Sequence, residues 1–416
     1  MKKLAARPRG TIGIVDIGTS KVCCFIAHRR DGEPEIVGIG HQVSRGVKNG
    51  VIIDIEAASQ SVLAAAHAAE QMAGETLDEV VVNLSGGFNA SRLIKSDITL
   101  NGREITDSDM RRVLDHGHAL KEPAERTVIH SIPVGFAVDQ SRGIRDPRGM
   151  YGQKLGVNMH LVTAQSSAVR NLATCFGRCH LEIGALVVSP YAAGLAALVE
   201  DETELGVTVI DMGGGTTGIA VFFDGNLVFT DCVPVGGGHV TSDIARGLST
   251  PLAHAERMKT LYGSAIAAST DEREMISVPQ VGEEDESQAN QVPKSLLVGI
   301  ISPRLEETFE LVRDRLEHSG FDKIAGRRVV LTGGAAQLPG TRELAGLILD
   351  KQIRVGRPLR LEGLAEATAG PAFATSAGLV HFALSERAET PRRGRALTEE
   401  PGGVLHRFGH WIRENF

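Results

Sequence analysis

Two short turns, about half a chain apart, combine aspartate, glycine and hydroxyl residues between apolar strands. They lie at residues 15–20 and 210–216. Glycine lets a ligand approach the backbone closely, and successive turn N–H groups form a concavity that binds anions. This combination is typical of loops that hold a chain of phosphates. The candidate residues are Gly18, Thr19 and Ser20 in the first turn, and Gly213, Gly214, Gly215, Thr216 and Thr217 in the second.

Two aspartates and one lysine in these turns have separate predicted roles. Asp16 and Asp211 carry the same negative charge as phosphate and therefore cannot bind it directly. A carboxylate beside phosphates can instead hold Mg²⁺ through water. Lys21 carries the opposite charge and can meet a phosphate. We expect a phosphate site with the two aspartates on its metal side.

A third glycine turn, in the stretch RVVLTGGAAQLPG, follows another apolar strand and precedes the start of a helix. A nucleotide can lie on its flat backbone at Gly333, Gly334 and Ala335. Any one of the three turns alone is more often an ordinary tight turn. The three in this order, with an aspartate in two of them, are much more specific and predict a nucleotide site.

Composition and charge limit the classes of function. The chain has 416 residues, enough for two or more domains, and its net charge of −7 argues against nucleic acid as the main partner. No apolar run follows the basic N-terminus. The most apolar window, residues 185–199, is interrupted by Ser189 and Pro190 and is too short to cross a bilayer. We expect a cytoplasmic location, with the five cysteines reduced.

Apolar periodicity and turn residues indicate alternating strands and helices around the three turns. Residues 86–162 differ from the rest, with short apolar runs punctuated by glycine and proline, and predict a small separate subdomain. Residues 269–293 are polar and acidic and predict a surface loop or a partly disordered segment. The sequence does not indicate the role of its acidic part, residues 282–290. Helices are predicted at residues 54–73, 166–179, 191–199, 243–262, 296–319 and 376–384.

The stretch VLHRFGHWIRENF, residues 404–416, contains the only tryptophan of the chain. At 100° per residue its apolar side chains fall on one stripe of a helix. A polar linker at residues 386–401 disfavours a helix docked on its own core. The pattern predicts an amphipathic helix in a membrane interface, where tryptophan and flanking arginine are favoured. The stripe consists of Val404, Leu405, Phe408, Trp411 and Ile412, with Arg407 and Arg413 beside it.

The order of the three turns resembles that of the actin, sugar-kinase and Hsp70 superfamily: first phosphate loop, second phosphate loop, adenosine loop. The stretches GGGHVTSD and AERMK match a fourth part of that pattern. The resemblance implies that Gly238, Asp243, Glu256 and Lys259 line the nucleotide, the last three at its ribose and base. A solvated helix face is the alternative for those three.

Within that superfamily the chain resembles the bacterial cell-division FtsA family from about Thr11 to Leu384. The similarity rests on VIHSIPVGFAVD with GIRDPRGMYGQKLGVNMHLVTA, ELGVTVIDMGGGTTGIAVFFDG, VVLTGGAAQLPG and IRVGRPLRLEGL. It implies an α/β, actin-like two-lobed fold, with mixed five-stranded sheets flanked by helices around a nucleotide cleft. It also implies an FtsA-type inserted subdomain.

The resemblance sets the expected domain boundaries. Both lobes are discontinuous, and an inserted or outer subdomain interrupts each. The expected ranges are lobe I core 11–84 and 164–203, inserted subdomain 85–163, lobe II core 204–235 and 328–385, lobe II outer subdomain 236–327, linker 386–401 and membrane-targeting helix 402–416.

The resemblance also implies a function in division. ATP and Mg²⁺ would occupy the cleft, and the chain would polymerise with itself on the cytoplasmic face of the inner membrane at the division site. It would bind membrane lipids through the tail, tether FtsZ and help recruit later division proteins to the septum. Arg304 and Glu307 lie in a helix that resembles the part contacting FtsZ, although at i and i+3 they can also pair with each other.

Two positions depart from the superfamily pattern for hydrolysis. Gly218 stands where an acidic residue often follows the second phosphate loop, and residues 189–193 contain no carboxylate or amide. A water without an orienting partner is a poor nucleophile. We expect ATP binding with at most slow turnover.

Three other classes of protein match part of the pattern. A small-molecule kinase needs a catalytic aspartate base in the cleft and no membrane tail. An Hsp70-type chaperone needs a substrate-binding β-domain, for which the residues after Leu384 are too few. A type IV pilus assembly protein is also actin-like, but the subdomain motifs and the amphipathic tail favour the FtsA family.

Overall fold

The computed structural model describes most of the chain up to Ser385, namely residues 10–30, 33–118, 122–282, 290–359 and 361–385. The predicted linker and membrane helix, residues 386–416, lie outside this part of the chain, as do residues 283–289 of the acidic segment. No helix within the described ranges is both long enough and apolar enough to span a bilayer.

Strands and helices of the described residues are numbered along the chain. The strands are β1 Thr11–Ile17, β2 Lys21–Arg30, β3 Glu33–Val43, β4 Val47–Lys48, β5 Val51–Ile52, β6 Glu79–Leu84, β7 Ala90–Thr99, β8 Arg126–Val138, β9 Ser141–Ile144, β10 Lys154–Gln165, β11 Glu182–Val188, β12 Val207–Met212, β13 Thr217–Phe223, β14 Asn226–Val233, β15 Met275–Val278, β16 Asn290–Pro293, β17 Arg328–Thr332 and β18 Gln352–Val355. The helices are α1 Ile55–Ala73, α2 Asp107–His118, α3 Ser166–Arg178, α4 Ser189–Ala197, α5 Glu200–Leu205, α6 Gly237–Gly247, α7 Leu252–Tyr262, α8 Lys294–Ser319, α9 Thr341–Leu349 and α10 Ala374–Leu384.

Each lobe is built on a five-stranded mixed sheet of the same design. Lobe I has the spatial order β11-β6-β1-β2-β3 and lobe II the order β14-β13-β12-β17-β18. In each, a central strand pairs antiparallel with its hairpin partner and parallel with the next strand on its other side. The predicted mixed five-stranded sheets are confirmed, and the two halves of the chain repeat one plan.

Two helices between the sheets join the lobes. α4 follows lobe I strand β11 but packs on β12 and β13 of lobe II, whereas α10 closes the described chain and packs on β1 and β2 of lobe I. α4 begins at Ser189, two residues before the predicted start, because Pro190 is tolerated in the first turn of a helix. The two helices contact each other closely, since a β-carbon at Gly378 would lie 1.7 Å from the Ala192 carbonyl oxygen.

The inserted subdomain consists of a four-stranded sheet, in the order β7-β10-β8-β9, with α2 packed against it. It has a small apolar core of its own, centred on Leu155, Val157 and Met159 of β10. It also touches lobe II, where the buried backbone N–H of Thr230 donates to the Ser91 hydroxyl at 3.0 Å. The edge strand of the second sheet is therefore covered by the inserted subdomain.

The outer part of lobe II corrects two expectations. The single helix predicted at residues 243–262 was wrong: the chain forms α6 and α7, separated where Ser249 adopts a positive φ of 52° and Pro251 follows. The expected loop at residues 269–293 contains two antiparallel strands, β15 and β16. Ile276 and Val278 of β15 are buried in the lobe II core, which explains why a strand forms within this polar segment.

The contact between α4 and α10 gives a test of how the lobes are joined. We expect Gly378→Ala to destabilise the protein by about 1–3 kcal/mol, because the added methyl group must push the two helices apart. The matched control is Gly299→Ala, in the exposed interior of α8 with open space around it. There the same change should stabilise by up to about 1 kcal/mol, since alanine favours helix. Thermal unfolding of both variants checks this, and equal midpoints would contradict it.

Candidate functional site

The two predicted phosphate turns have the same local geometry. Asp16 lies near the end of β1 and Asp211 near the end of β12. In each turn the glycine two residues after the aspartate closes the hairpin. The N–H of Gly18 donates to the carbonyl oxygen three residues later at 2.9 Å, and that of Gly213 does the same at 2.8 Å. Each lobe therefore contributes an equivalent aspartate-glycine turn.

These turns face each other across the cleft between the lobes. A β-carbon at Gly214 would lie 2.0 Å from the Ser20 hydroxyl oxygen, and one at Gly215 would lie 2.5 Å from the Thr19 hydroxyl oxygen. Glycine at both positions is what allows this approach. Backbone from lobe II and hydroxyl groups from lobe I consequently line one narrow space.

Asp16 and Asp211 are held by consecutive residues of one helix. The Ser376 hydroxyl donates to Asp16 at 2.7 Å, and the Thr375 hydroxyl donates to Asp211 at 3.1 Å. Both donors lie in the first turn of α10, where the positive end of the helix dipole favours nearby negative charge. These two donors were not predicted from the sequence. Two adjacent hydroxyl residues at the start of a mostly apolar helix were the signal that could have shown them.

Burial raises the pKa of both carboxyl groups. The pKa of Asp211 rises to about 6, first because of burial and second because the negative charge of Asp16 is near. Burial also raises the pKa of Asp16, against the lowering effect of the Lys21 ammonium group. Two carboxylates that repel each other favour a divalent cation between them.

Mg²⁺ bound through its water shell fits this pair. Mg²⁺ commonly keeps several waters and takes one or two carboxylates together with substrate phosphates. No group of three or more histidine, cysteine or acidic side chains in the described part of the chain could enclose a metal directly. The donor set of Asp16 and Asp211 is therefore suited to a hydrated cation shared with a phosphate ligand.

Lys21 lies close to both aspartates. Its ammonium group donates to the Ala372 carbonyl oxygen at 2.6 Å and lies 3.3 Å from the centre of the Phe373 ring. Its charge lowers the pKa of Asp16 and of Asp211, against the larger effect of burial. Lys21 is thus within reach of an anion bound between the turns. Ala372 and Phe373, which contact this lysine just before α10, were not predicted from the sequence as part of the site.

The third glycine turn packs on the second phosphate turn. Gly333 has a φ of 86°, and a β-carbon there would lie 2.5 Å from the Met212 carbonyl oxygen and 2.6 Å from an Asp211 carboxylate oxygen. Only glycine fits this position. Gly334 and Ala335 continue into a short 3-10 helix. The structure thus brings the predicted adenosine turn directly beside the aspartate of lobe II.

Of the four residues that the superfamily resemblance assigns to the stretches GGGHVTSD and AERMK, three lie near the adenosine turn. The N–H of Gly238 donates to the Gly214 carbonyl oxygen at 2.7 Å. Lys259 donates to the Gly237 carbonyl oxygen at 3.1 Å and to the Glu256 carboxylate at 2.6 Å. Gly238, Glu256 and Lys259 therefore lie together beside the second phosphate turn.

Asp243 instead joins the two residues predicted to contact a partner. Arg304 of α8 donates to the Asp243 carboxylate at 2.5 Å and also pairs with Glu307. The i and i+3 pairing that the sequence allowed is therefore present. Only about a quarter of the Arg304 side chain is exposed, at 27%, so much of its charge is used within lobe II.

The position expected to carry a hydrolytic carboxylate is closed. Gly218 faces Asp211 across the β12–β13 hairpin, and a β-carbon there would lie 3.0 Å from the Pro190 ring. The start of α4 thus occupies the space that a longer side chain would need. The nearby amide of Asn83 is fully engaged, because it accepts from the Ile17 N–H at 2.7 Å and donates to the Ser189 hydroxyl at 3.0 Å.

Two solved structures share this fold. The chain aligns with a structure described as a PilM-PilN type IV pilus biogenesis complex at a TM-score of 0.64 and 18% identity, covering 91% of this chain and 100% of the other. It aligns with MreB5 of Spiroplasma citri bound to ADP at a TM-score of 0.52 and 14% identity, covering 90% and 96%. At these identities the likeness concerns the fold, which is that of actin-like ATPases.

Sequence comparison is more specific. The family model "Cell division protein FtsA" matches residues 208–378, and the model "SHS2 domain inserted in FTSA" matches residues 89–163. The cell division protein FtsA of Rhizobium meliloti (strain 1021) is 46% identical over 429 residues, covering 100% of this chain and 97% of that protein. The expected fold class, including the inserted subdomain, is confirmed. The chain is an actin-like cell division protein that belongs to the FtsA family.

Proposed function

We propose that the cleft binds ATP together with Mg²⁺. The observation that carries this proposal is the pair Asp16 and Asp211, brought from facing turns of the two lobes and held by adjacent hydroxyls of α10. The phosphates would lie between the two turns, where glycine N–H groups and the hydroxyls of Thr19 and Ser20 can donate to them. Mg²⁺ would supply positive charge between the phosphates and the two carboxylates.

The base and ribose would lie at the other end of the cleft. Gly334, which is exposed and has no side chain, and Ala335, which begins a short 3-10 helix, offer backbone there. Glu256 and Lys259 stand beside them. Because Asp243 forms an ion pair with Arg304, it would hold that arginine in place and not contact the nucleotide directly. The division of the site into a phosphate end and a base end is consistent with the order of the three glycine turns along the chain.

We further propose that the protein polymerises on the cytoplasmic face of the inner membrane at the division site. It would tether FtsZ filaments there through the amphipathic helix at residues 402–416 and help recruit later division proteins. Family membership and the tail pattern support this proposal. Arg304 and Glu307 would form part of the FtsZ-binding surface, with Arg304 fixed by Asp243 so that Glu307 is presented on α8.

The tail pattern also sets the strength of attachment. Five apolar side chains contribute several kcal/mol at most, after the cost of ordering a helix, and Glu414 opposes the attraction of two arginines to anionic lipid. A single tail should bind weakly and reversibly. A filament that presents many tails gains affinity from their number alone. Polymerisation would therefore control attachment.

The aspartate pair predicts a trade-off between nucleotide binding and stability. Asp211→Asn should weaken Mg²⁺·ATP binding at least about tenfold, which calorimetry measures. The same variant without nucleotide should melt at a higher temperature than wild type at pH 7.5. The folded pKa of about 6 exceeds the ordinary value of 3.8, so the ionised carboxylate destabilises the folded state as pH rises through that interval.

The gain in melting temperature should shrink at pH 5, where Asp211 is mostly protonated in the folded protein. Asp314→Asn, at an exposed position of α8, is the matched control and should change neither binding nor the pH dependence. A variant that lost stability at neutral pH while still binding Mg²⁺·ATP normally would contradict this role of Asp211.

The tail prediction is tested by co-sedimentation with liposomes in the presence of ATP. The full chain should pellet, and a chain ending at Pro401 should stay in the supernatant. Trp411→Glu should behave like the truncated chain, because it places a charge on the apolar stripe. His410→Glu, one residue away and off the stripe, is the control and should keep most binding. Equal pelleting of full and truncated chains would show that another surface binds lipid.

The same vesicles report on FtsZ. Purified FtsZ should co-sediment with the full chain and not with the truncated one. Glu307→Ala should retain lipid binding of the chain itself while carrying less FtsZ to the pellet. Unchanged recovery of FtsZ with this variant would remove Glu307 from the proposed partner surface.

Turnover should be slow even where binding is tight. Gly218 and the start of α4 leave no carboxylate or free amide to orient a water, and the serine hydroxyls there are not bases. We expect phosphate release well below about 1 per second, the low end for enzymes. A phosphate-release assay under polymerising conditions, with vesicles and FtsZ present, checks this. A rate above that limit would mean that another residue orients the water.

A further inference from the structure

A second kind of hairpin turn, not predicted from the sequence, lies against the proposed nucleotide site. β4 and β5 pair through Lys48 and Val51, with Asn49 and Gly50 between them. Both turn residues have positive φ, 48° and 72°. This is the two-residue turn for which Asn-Gly is the preferred sequence, because both positions require the left-handed region. The conformation of this turn is therefore specified by its own sequence.

The Asn49-Gly50 turn touches both phosphate turns. The N–H of Gly50 donates to the Thr19 hydroxyl oxygen at 3.1 Å. On the other side, a β-carbon at Gly215 would lie 3.0 Å from the α-carbon of Asn49. One turn thus meets the hydroxyl contributed by lobe I and the glycine backbone contributed by lobe II.

Contacts that run from the adenosine turn to the second phosphate turn show at which end of the cleft the Asn49-Gly50 turn lies. At the base end, a β-carbon at Gly237 would lie 3.0 Å from the Ala335 side chain. The N–H of Gly237 donates to the Gly213 carbonyl oxygen at 2.9 Å. The second phosphate turn then runs on to Gly215, which meets Asn49. The Asn49-Gly50 turn therefore closes the end of the cleft opposite the adenosine turn, where the terminal phosphate of a nucleotide would lie.

The same turn also contacts the entrance to the inserted subdomain. A β-carbon at Gly50 would lie 2.6 Å from the Gly86 nitrogen, and one at Gly86 would lie 2.5 Å from the Asn49 carbonyl oxygen. Gly86 is buried and precedes β7 by a few residues. The next residue, Gly87, accepts from the Gln165 N–H at 3.0 Å, which ties the entrance of the subdomain to its exit.

Packing behind the turn leaves a small gap, with room for about one water molecule. A narrow pocket lies between the hairpin, the end of β6 and the first turns of α3. Such a gap allows the turn a small displacement on that side. The pocket is lined by Val47, Gly50 and Ile52 of the hairpin, Ser85 after β6, and Ala168 and Leu172 of α3.

We propose that the Asn49-Gly50 turn detects the terminal phosphate and transmits its presence to the entrance of the inserted subdomain. This rests on the proposed nucleotide site. The Thr19 hydroxyl accepts from Gly50 and keeps its own proton to donate to a phosphate oxygen. With a terminal phosphate bound, Thr19, Gly50 and Gly86 become ordered as one connected chain. A diphosphate does not reach this end and leaves the turn less restrained.

Amide hydrogen exchange tests the proposal, with saturating Mg²⁺ and either ADP or a non-hydrolysable ATP analogue. In the wild-type chain, exchange at residues 86–90 and 165–168 should be about fivefold or more slower with the analogue than with ADP. Gly86→Ala should still bind the analogue by calorimetry but lose this difference, because the added methyl group displaces the turn. Gly177→Ala, on α3 with open space around it, is the matched control and should keep it.

A second pair of variants covers the case in which Gly86→Ala fails to fold. Thr19→Val keeps the shape of the side chain but removes the hydroxyl, and it should abolish the difference at saturating nucleotide. Thr19→Ser keeps the hydroxyl and should preserve the difference. Equal exchange with both nucleotides in the wild-type chain, despite measured binding, would overturn this inference alone. Absence of nucleotide binding would overturn the proposed function as well.

Discussion

The close contact of α4 and α10 is the constraint on which the rest of the structure depends. Gly378 lies against the Ala192 carbonyl oxygen, so the two helices pack closely between the sheets. α4 follows lobe I in the chain but packs on the sheet of lobe II, and α10 follows lobe II but packs on the sheet of lobe I. This crossing brings the first turn of α10 to the ends of β1 and β12. Without it, Thr375 and Ser376 would not reach one aspartate of each lobe.

Bringing the two aspartates together in the cleft lowers the stability of the folded protein when both are ionised. Asp16 is buried and Asp211 is half-buried, and their like charges make ionisation of both less favourable. One hydroxyl per carboxylate, the start of α10 and the Lys21 ammonium group offset only part of the burial penalty, because the pKa of each aspartate remains raised. A fold that retains two repelling carboxylates gains from them only when a cation is bound. The unfavourable free energy of this aspartate pair is therefore explained by ligand binding and not by packing of the core.

The features that could be predicted from the sequence are those formed by residues close together in the chain. The aspartate-glycine turns form as hairpins because each turn and its two strands are consecutive in the chain, at residues 11–30 and 207–223. Their glycines are required by the facing loop. The hydroxyls of α10 were missed, since they meet Asp16 and Asp211 from 360 and 164 residues away. The Asn49-Gly50 turn was missed for a similar reason: the sequence indicates a tight turn but not its neighbours. Asp243 was placed in the right lobe, yet its partner Arg304 lies on another helix.

The inserted subdomain is attached to both lobes, and this limits how it can move. It enters and leaves lobe I beside Gly86, which contacts the Asn49-Gly50 turn. On lobe II the buried Thr230 N–H donates to Ser91, and this bond satisfies an edge-strand donor that water cannot reach. The Arg145–Glu204 ion pair on the same side is exposed and contributes little. A rotation of one lobe against the other must therefore carry the subdomain with it or break a buried hydrogen bond, so the orientation of the subdomain depends on how far the cleft is closed.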